Sequence, residues 1–293
     1  MVTDRKIIVC NKKTSLELTC MPYTVQSTEG WDRLEVQNVT SQGFDQDGAS
    51  LLNSYVLPRD MSITGQIYAE TTYQMQKLRD KLLNIFLPKE DVTITHYYGG
   101  VNRTIVVRTE KTPQIDFTEV SKVQQYEISF TATEPYWRDQ AETLIQIANV
   151  IGHFHFPLRI PKNKGVCFGV KSSSLIANVF NASSVRVGMT ITFIANGELT
   201  NPQLFNVNTR QYLKLLCTMG SGEKITIQTG QENSVVRNKN GLEEDYIGVI
   251  DLAGGGDTFL QLDPGDNLFR YAADGGEDML EVRISFYNKY PGV

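Results

Sequence analysis

Strict alternation of apolar and polar side chains recurs along this chain and leaves it little choice of architecture. Met61, Ile63, Gly65 and Ile67 alternate with Ser62, Thr64, Gln66 and Tyr68, and Tyr126, Ile128 and Phe130 alternate with Gln125, Glu127, Ser129 and Thr131. Met189, Ile191 and Phe193 alternate with Thr190 and Thr192; Leu280, Val282, Ile284 and Phe286 alternate with Glu281, Arg283 and Ser285. Successive side chains of a strand point to opposite faces, so these runs predict sheets with one dry and one wet face. Antiparallel sandwiches have that property, whereas parallel sheets buried on both faces do not. Turn signals separate the runs at Asp47-Gly48, Gly99-Gly100, Asn196-Gly197, Asn240-Gly241, Asp263-Pro264-Gly265-Asp266 and Gly275-Gly276. The predicted class is mainly β, arranged as two antiparallel β-sandwich domains.

One segment departs from period two. Between residues 72 and 87, Met75, Leu78, Leu82, Leu83, Ile85 and Phe86 fall close to a helical stripe, with Lys77, Arg79, Asp80, Lys81 and Asn84 mostly off it. Thr71 with Gln74 three residues on makes a capping box, and Pro88 stops the helix. The expectation is one amphipathic helix over residues 72–87 in the first domain, its stripe buried against a sheet or another subunit. At 293 residues the chain exceeds the usual single-domain size. The boundary is placed after the aromatic ending Glu134-Pro135-Tyr136-Trp137, giving domains 1–140 and 141–293, with a new strand series opening at His153-Phe154-His155-Phe156-Pro157.

Charge narrows the partners. Net charge is -5, residues 1–140 carrying 15 Lys+Arg against 18 Asp+Glu and residues 141–293 carrying 13 against 15. With a pI near 5.4 and no basic run, the chain lacks the footprint of a dedicated nucleic-acid binder. No window approaches the ~18 apolar residues that span a bilayer, and Ile7, Ile8 and Val9 are too short a run for a signal peptide. Synthesis in a cytoplasm is therefore expected, where Cys10, Cys20, Cys167 and Cys217 are read as free core thiols.

The search for chemistry assigns no catalytic, cofactor or metal residue. His153 and His155 share one strand face without a third ligand of matching spacing, and His96 lies in a strand pattern. GxSxG is absent. Gly220-Ser-Gly-Glu-Lys224 lacks the GxxxxGK spacing of a phosphate loop and is read as a β-turn. Asp45-Gln46-Asp47-Gly48 starts like a calcium loop without its closing Glu, and Gly254-Gly255-Gly256 reads as a plain loop. Between Glu243 and Asp278 stand ten acidic residues and one base, Arg270. That crowding is read as solvated loops, with a weak calcium site or a repulsive lining for a passing polyanion as the functional alternatives.

The order of features then resembles a known family. Gly43-Phe-Asp-Gln-Asp-Gly48, followed by Tyr55-Val-Leu-Pro-Arg59-Asp-Met-Ser-Ile63-Thr-Gly65-Gln-Ile67, is similar to the siphophage distal tail proteins (the Dit family). Their first half shows a Gly/Asp turn, a Pro-Arg and an Ile-x-Gly-x-Ile strand. The helix ending Phe86-Leu-Pro88 and the aromatic run Glu134–Trp137 resemble the same ring-forming domain. Gly197–Pro202, Gly222-Glu223, Phe259–Leu262, Pro264–Asn267 and the closing Tyr290-Pro-Gly-Val293 resemble the family's second sandwich, which is galectin-like. The resemblance implies a structural protein at the virion tail tip, with no enzymatic activity. Its partners would be itself in a hexameric ring, the major tail tube protein, the tip or baseplate hub and receptor-binding adhesion proteins, with DNA passing through the channel. A galectin-like sandwich also invites a carbohydrate-binding role toward host cell wall. Against it, residues 141–293 contain no tryptophan and neither galectin signature.

Overall fold

The computed structural model describes residues 5–45, 47–117, 122–147, 150–152, 169–171 and 176–293. The protein is mainly β and its paired strands are antiparallel, as the alternating runs require. Two compact units form. The first spans Met1–Gln140 and takes back Lys289–Val293; the second is Ala141–Asn288. This corrects the extent expected for the second domain, which ends at Asn288 and not at Val293. The last residues have partners elsewhere: Tyr290 and Lys289 pair with Trp137 and Arg138 of the first unit.

In the first unit one continuous sheet runs, in spatial order, Ser15–Glu17, Lys6–Cys10, Asp91–Tyr98, Val101–Thr109, Val123–Ala132, Arg59–Tyr68 and Tyr23–Glu29. The predicted strand around Met61–Tyr68 lies beside the predicted strand around Tyr126–Phe130, with Ile63 opposite Ile128 and Met61 opposite Phe130. All four side chains are buried. Gly65 explains the Ile-x-Gly-x-Ile pattern. Its cross-strand partner is Tyr126, whose ring crosses the glycine so that the hydroxyl can donate to the Thr24 carbonyl oxygen at 3.1 Å. A side chain at 65 would occupy the same space.

The helix covers Thr72–Ile85, two residues shorter than expected. Thr71 caps it, its hydroxyl accepting from the Gln74 N–H at 3.2 Å, while the Gln74 side chain reaches back to the Glu70 N–H at 3.2 Å. Asn11 ends it: its amide donates to the carbonyl oxygens of Asn84 and Ile85 at 3.1 and 3.3 Å, satisfying acceptors that the last turn leaves open. Phe86 then leaves helical geometry and stacks on Phe130 with 6.5 Å between centroids. Met75, Leu82 and Ile85 bury the stripe in the first unit's own core.

The second unit is a sandwich. One sheet orders Thr143–Gln146, Leu280–Phe286, Thr190–Ala195, Lys224–Gln228, Ser234–Lys239 and Leu242–Asp245; the other orders Ile176–Asn181, Gly265–Gly275, Leu199–Asn206 and Tyr212–Lys214. Ile191, Phe193, Ile227 and Ile284 from the first meet Val179, Leu204, Phe269 and Tyr271 from the second in one core. Asn240 and Gly241 turn its outer hairpin at φ 54° and 82°, the left-handed pair that a two-residue hairpin needs.

The cysteine expectation needs correction. Cys10 and Cys20 are exposed and free, and Cys217 is partly exposed. Period two gives the reason for Cys10, because Ile7 and Val9 take the core face of Lys6–Cys10 and turn the next side chain to solvent. Cys167 and the pair His153 and His155 lie outside the described residues.

Candidate assembly interface

Between the strands Tyr23–Glu29 and Arg59–Tyr68 the chain leaves the sheet as a long hairpin, Val36–Ser41 paired with Ser50–Val56. Neither strand carries a buried side chain, and no other strand or helix among the described residues packs along them. Yet the arm carries large apolar side chains among its polar ones. Val36, Val39, Leu51, Leu52 and Tyr55 are exposed, and Phe44 at the tip stands wholly in solvent. A bulge between Val39 and Thr40 leaves Leu52 without a cross-strand partner beside Leu51, the two standing at 66% and 62% exposure, while Val36 and Val39, three apart on the regular strand, project from opposite faces. A two-stranded hairpin with nothing against it is marginal in water, and clustered exposed apolar side chains mark an interaction site.

The arm's feet are fixed firmly. Arg59, where the chain re-enters the sheet, is 3% exposed. Its guanidinium donates to the carbonyl oxygens of Gly30 at 3.1 Å and Trp31 at 2.5 Å, where the chain departs toward the arm. It also donates to the Pro135 oxygen at 2.7 Å and to the Pro291 oxygen. A planar five-donor fork can hold four carbonyls in this way; an ammonium cannot. Trp137 adds a further tie, its indole N–H donating to the Trp31 oxygen at 3.0 Å.

His96 lies in this aromatic cluster as a buried sheet residue. Its ring meets Trp31 edge-on at 5.5 Å, and Arg5 Nε donates to its Nε2 at 3.0 Å. Burial, then the positive charges of Arg5 and Arg103, push its pKa down to about 4 against an opposing pull from Asp32. The imidazole is therefore neutral at pH 7 and serves as an acceptor.

A groove opens elsewhere on the first unit, beside the start of the helix. Met21, Pro22, Tyr68, Ala69 and Leu78 form its walls, Lys77, Lys122 and Glu70 lie on its rim, and its volume is about 590 Å³.

The second unit's acidic run does not converge. Asp274 is held by Lys214 at 2.9 Å, Asp263 by Arg186 at 2.6 Å, and Asp266 accepts from Asn178 at 2.6 Å. Asp251 accepts from the Gly254 N–H at 2.8 Å, fixing the triple-glycine loop. Among the described residues no three His, Cys, Asp or Glu side chains gather as a metal would require. Gly220–Lys224 is a turn, with Gly222 at φ 85° and the Glu223 N–H bonded to the Gly220 oxygen at 3.1 Å. The buried Glu223 in turn binds Arg237 at 2.6 Å and Lys239 at 2.7 Å. Burial pushes its carboxyl up, but the bonds from Lys239, Arg237 and the backbone at Gly220 outweigh that and hold it below the ordinary range. Among the described residues no helix is long and apolar enough to cross a membrane.

The arm and the Arg59 clamp were not assigned from sequence. The adjacent Leu51 and Leu52 break the alternation inside a strand pattern, and in the structure Leu52 is the unpaired residue of a bulge.

Residues 14–132 match the family described as the phage tail protein RIFT-related domain. No curated protein matches in sequence. Among solved structures, the SPP1 Dit (gp 19.1) protein, described as a paradigm of the hub adsorption apparatus in phages infecting Gram-positive bacteria, superposes with a TM-score of 0.69 at 13% identity. The match covers 97% of this chain and 99% of that one. A chain of the phage P2 baseplate in its activated conformation with calcium superposes with a TM-score of 0.56 at 10% identity, covering 99% of each. Residues 14–132 of the first unit thus resemble the phage tail protein RIFT-related domain, and over nearly its whole length the chain has the fold of the SPP1 Dit protein.

Proposed function

We propose that this protein is a structural, non-enzymatic component of a phage tail tip. Six copies close into a ring that joins the tail tube to the tip hub, docks adhesion proteins and leaves a channel for DNA. The first unit builds the ring and the second presents its surface outward. One observation carries the reading: the Val36–Val56 arm exposes apolar side chains on both faces, and no other strand or helix among the described residues packs along its two strands. A monomer gains nothing from such an element, whereas a neighbouring subunit buries it. A ring requires unlike surfaces to meet head to tail, with a rotation that closes. Native mass spectrometry across a concentration series tests this, with a 32.9 kDa protomer expected at six copies. A protein that stays single at every concentration, and is absent from the tip of immunolabelled tail particles, sinks the reading.

A further inference from the structure

We infer that the tip residue Phe44 plugs the groove beside the helix of a neighbouring copy of this chain. The inference rests on the ring reading and adds to it the surfaces that meet.

Four observations carry it. Phe44 is completely exposed at the end of an arm whose strands no other strand or helix among the described residues packs along. The groove's walls, from Met21, Pro22, Tyr68, Ala69 and Leu78, are mostly apolar, and its 590 Å³ lies in the range that holds compact apolar groups. The charges are complementary. Asp45 and Asp47 flank the tip, and from Val36 to Val56 the chain has no basic residue. On the groove's rim Lys122 is taken by Glu70 at 3.1 Å, which leaves Lys77. Lys77 lies 4.5 Å from the Tyr73 ring centre and has no carboxylate partner among the described residues.

An aromatic anchor in an apolar pocket, rimmed by opposite charges, is the usual anatomy of a contact that concentrates binding energy. Plug and socket are different surfaces of one unit, so each copy offers one of each. Such a contact repeats around a ring and is self-limiting only on closure.

The test uses the full chain with its exposed thiols removed by Cys10→Ser and Cys20→Ser. Into that background go Phe44→Cys and Gln74→Cys, singly and together, Gln74 being an exposed lining residue of the groove. At a concentration where the parent is oligomeric, mild oxidation of the double variant gives a ladder of covalent multimers ending at the ring, and neither single variant does. Separately, Phe44→Ser raises the concentration for half-assembly roughly thirtyfold, the loss of one hot-spot side chain. Lys77→Glu also weakens assembly, and Asp45→Lys with Lys77→Glu restores it. If the parent forms rings but the double variant gives no ladder, or Phe44→Ser assembles like the parent, the plug is wrong while the ring stands. An internally bridged monomer overturns the plug too. A parent that never assembles overturns both readings together.

Discussion

Arg59 donates to the carbonyl oxygen of Pro291, 232 residues further along the chain. The same guanidinium holds Gly30, Trp31 and Pro135, so one buried side chain fastens both feet of the arm and the returning Tyr290–Val293 segment to one point. Replacing Arg59 by Met leaves buried carbonyls without a donor, each costing about 1–3 kcal/mol. Arg59→Met is expected to destabilise the first unit by about 3 kcal/mol or more in urea unfolding, and Arg59→Lys to recover less than half. A loss under about 1 kcal/mol for the Met variant contradicts the clamp.

Gly65→Ala places a methyl group on the Thr24 carbonyl oxygen and the Tyr126 ring. The nearest obstacle is backbone of the neighbouring strand, which yields little. The expected cost is about 2 kcal/mol, in the range of overpacked cores. Gly65→Ala combined with Tyr126→Phe should not recover it, because the Thr24 oxygen remains in place. Thermal unfolding of the two variants checks this, and full rescue by the double change disproves the backbone clash.

The second unit contains a comparable point at Glu223, 5% exposed and bound by Arg237 and Lys239. Glu223→Gln leaves the largely buried Arg237 with only its longer 3.5 Å pair to the exposed Glu244, which costs about 2–3 kcal/mol for a buried pair broken on one side. Hydrogen exchange should quicken along Lys224–Gln228 and Ser234–Lys239 and stay unchanged in the first unit. Since the native carboxyl titrates below its ordinary value of 4.5, its contribution is complete above that value and is lost as the pH falls through the native one. Unchanged exchange in those two strands would count against it.

His96 sets a second, milder acid limit. Its native pKa of about 4 lies below the unfolded value of 6.5, so the unfolded chain binds more protons between the two. Stability is therefore full above pH 6.5 and falls as the pH drops toward 4, by up to about 3 kcal/mol at 1.36 kcal/mol per unit. Melting temperature against pH for the parent and for His96→Gln should diverge across that window, the variant being flatter. An imidazole resonance that titrates near 6.5 in the folded protein rules it out.

Much of the fold was legible because period two is a local property. The runs at Met61–Tyr68, Tyr126–Phe130 and Leu280–Phe286 each became a strand with the expected buried face. Helix capping was legible too, since Thr71 and Gln74 act within one turn. The helix's end was not, because Asn11, far away in sequence, takes the carbonyls at Asn84 and Ile85. Likewise, a pattern of alternation tells which residues share a face but not whether a strand has neighbours. The exposure of Leu51 and Leu52 follows from sheet placement, which no local spacing encodes.

By itself the sequence determined an antiparallel, mainly β chain with one capped helix, because strand pleat and helix pitch write their periods directly into neighbouring residues. Only the tertiary structure decided that Arg59 gathers four distant carbonyls, that the chain's last residues rejoin the first unit, and that an arm bearing exposed apolar side chains stands uncovered among the described residues. Those are facts of proximity between segments far apart in sequence, and proximity of that kind is fixed by how all the buried faces pack at once.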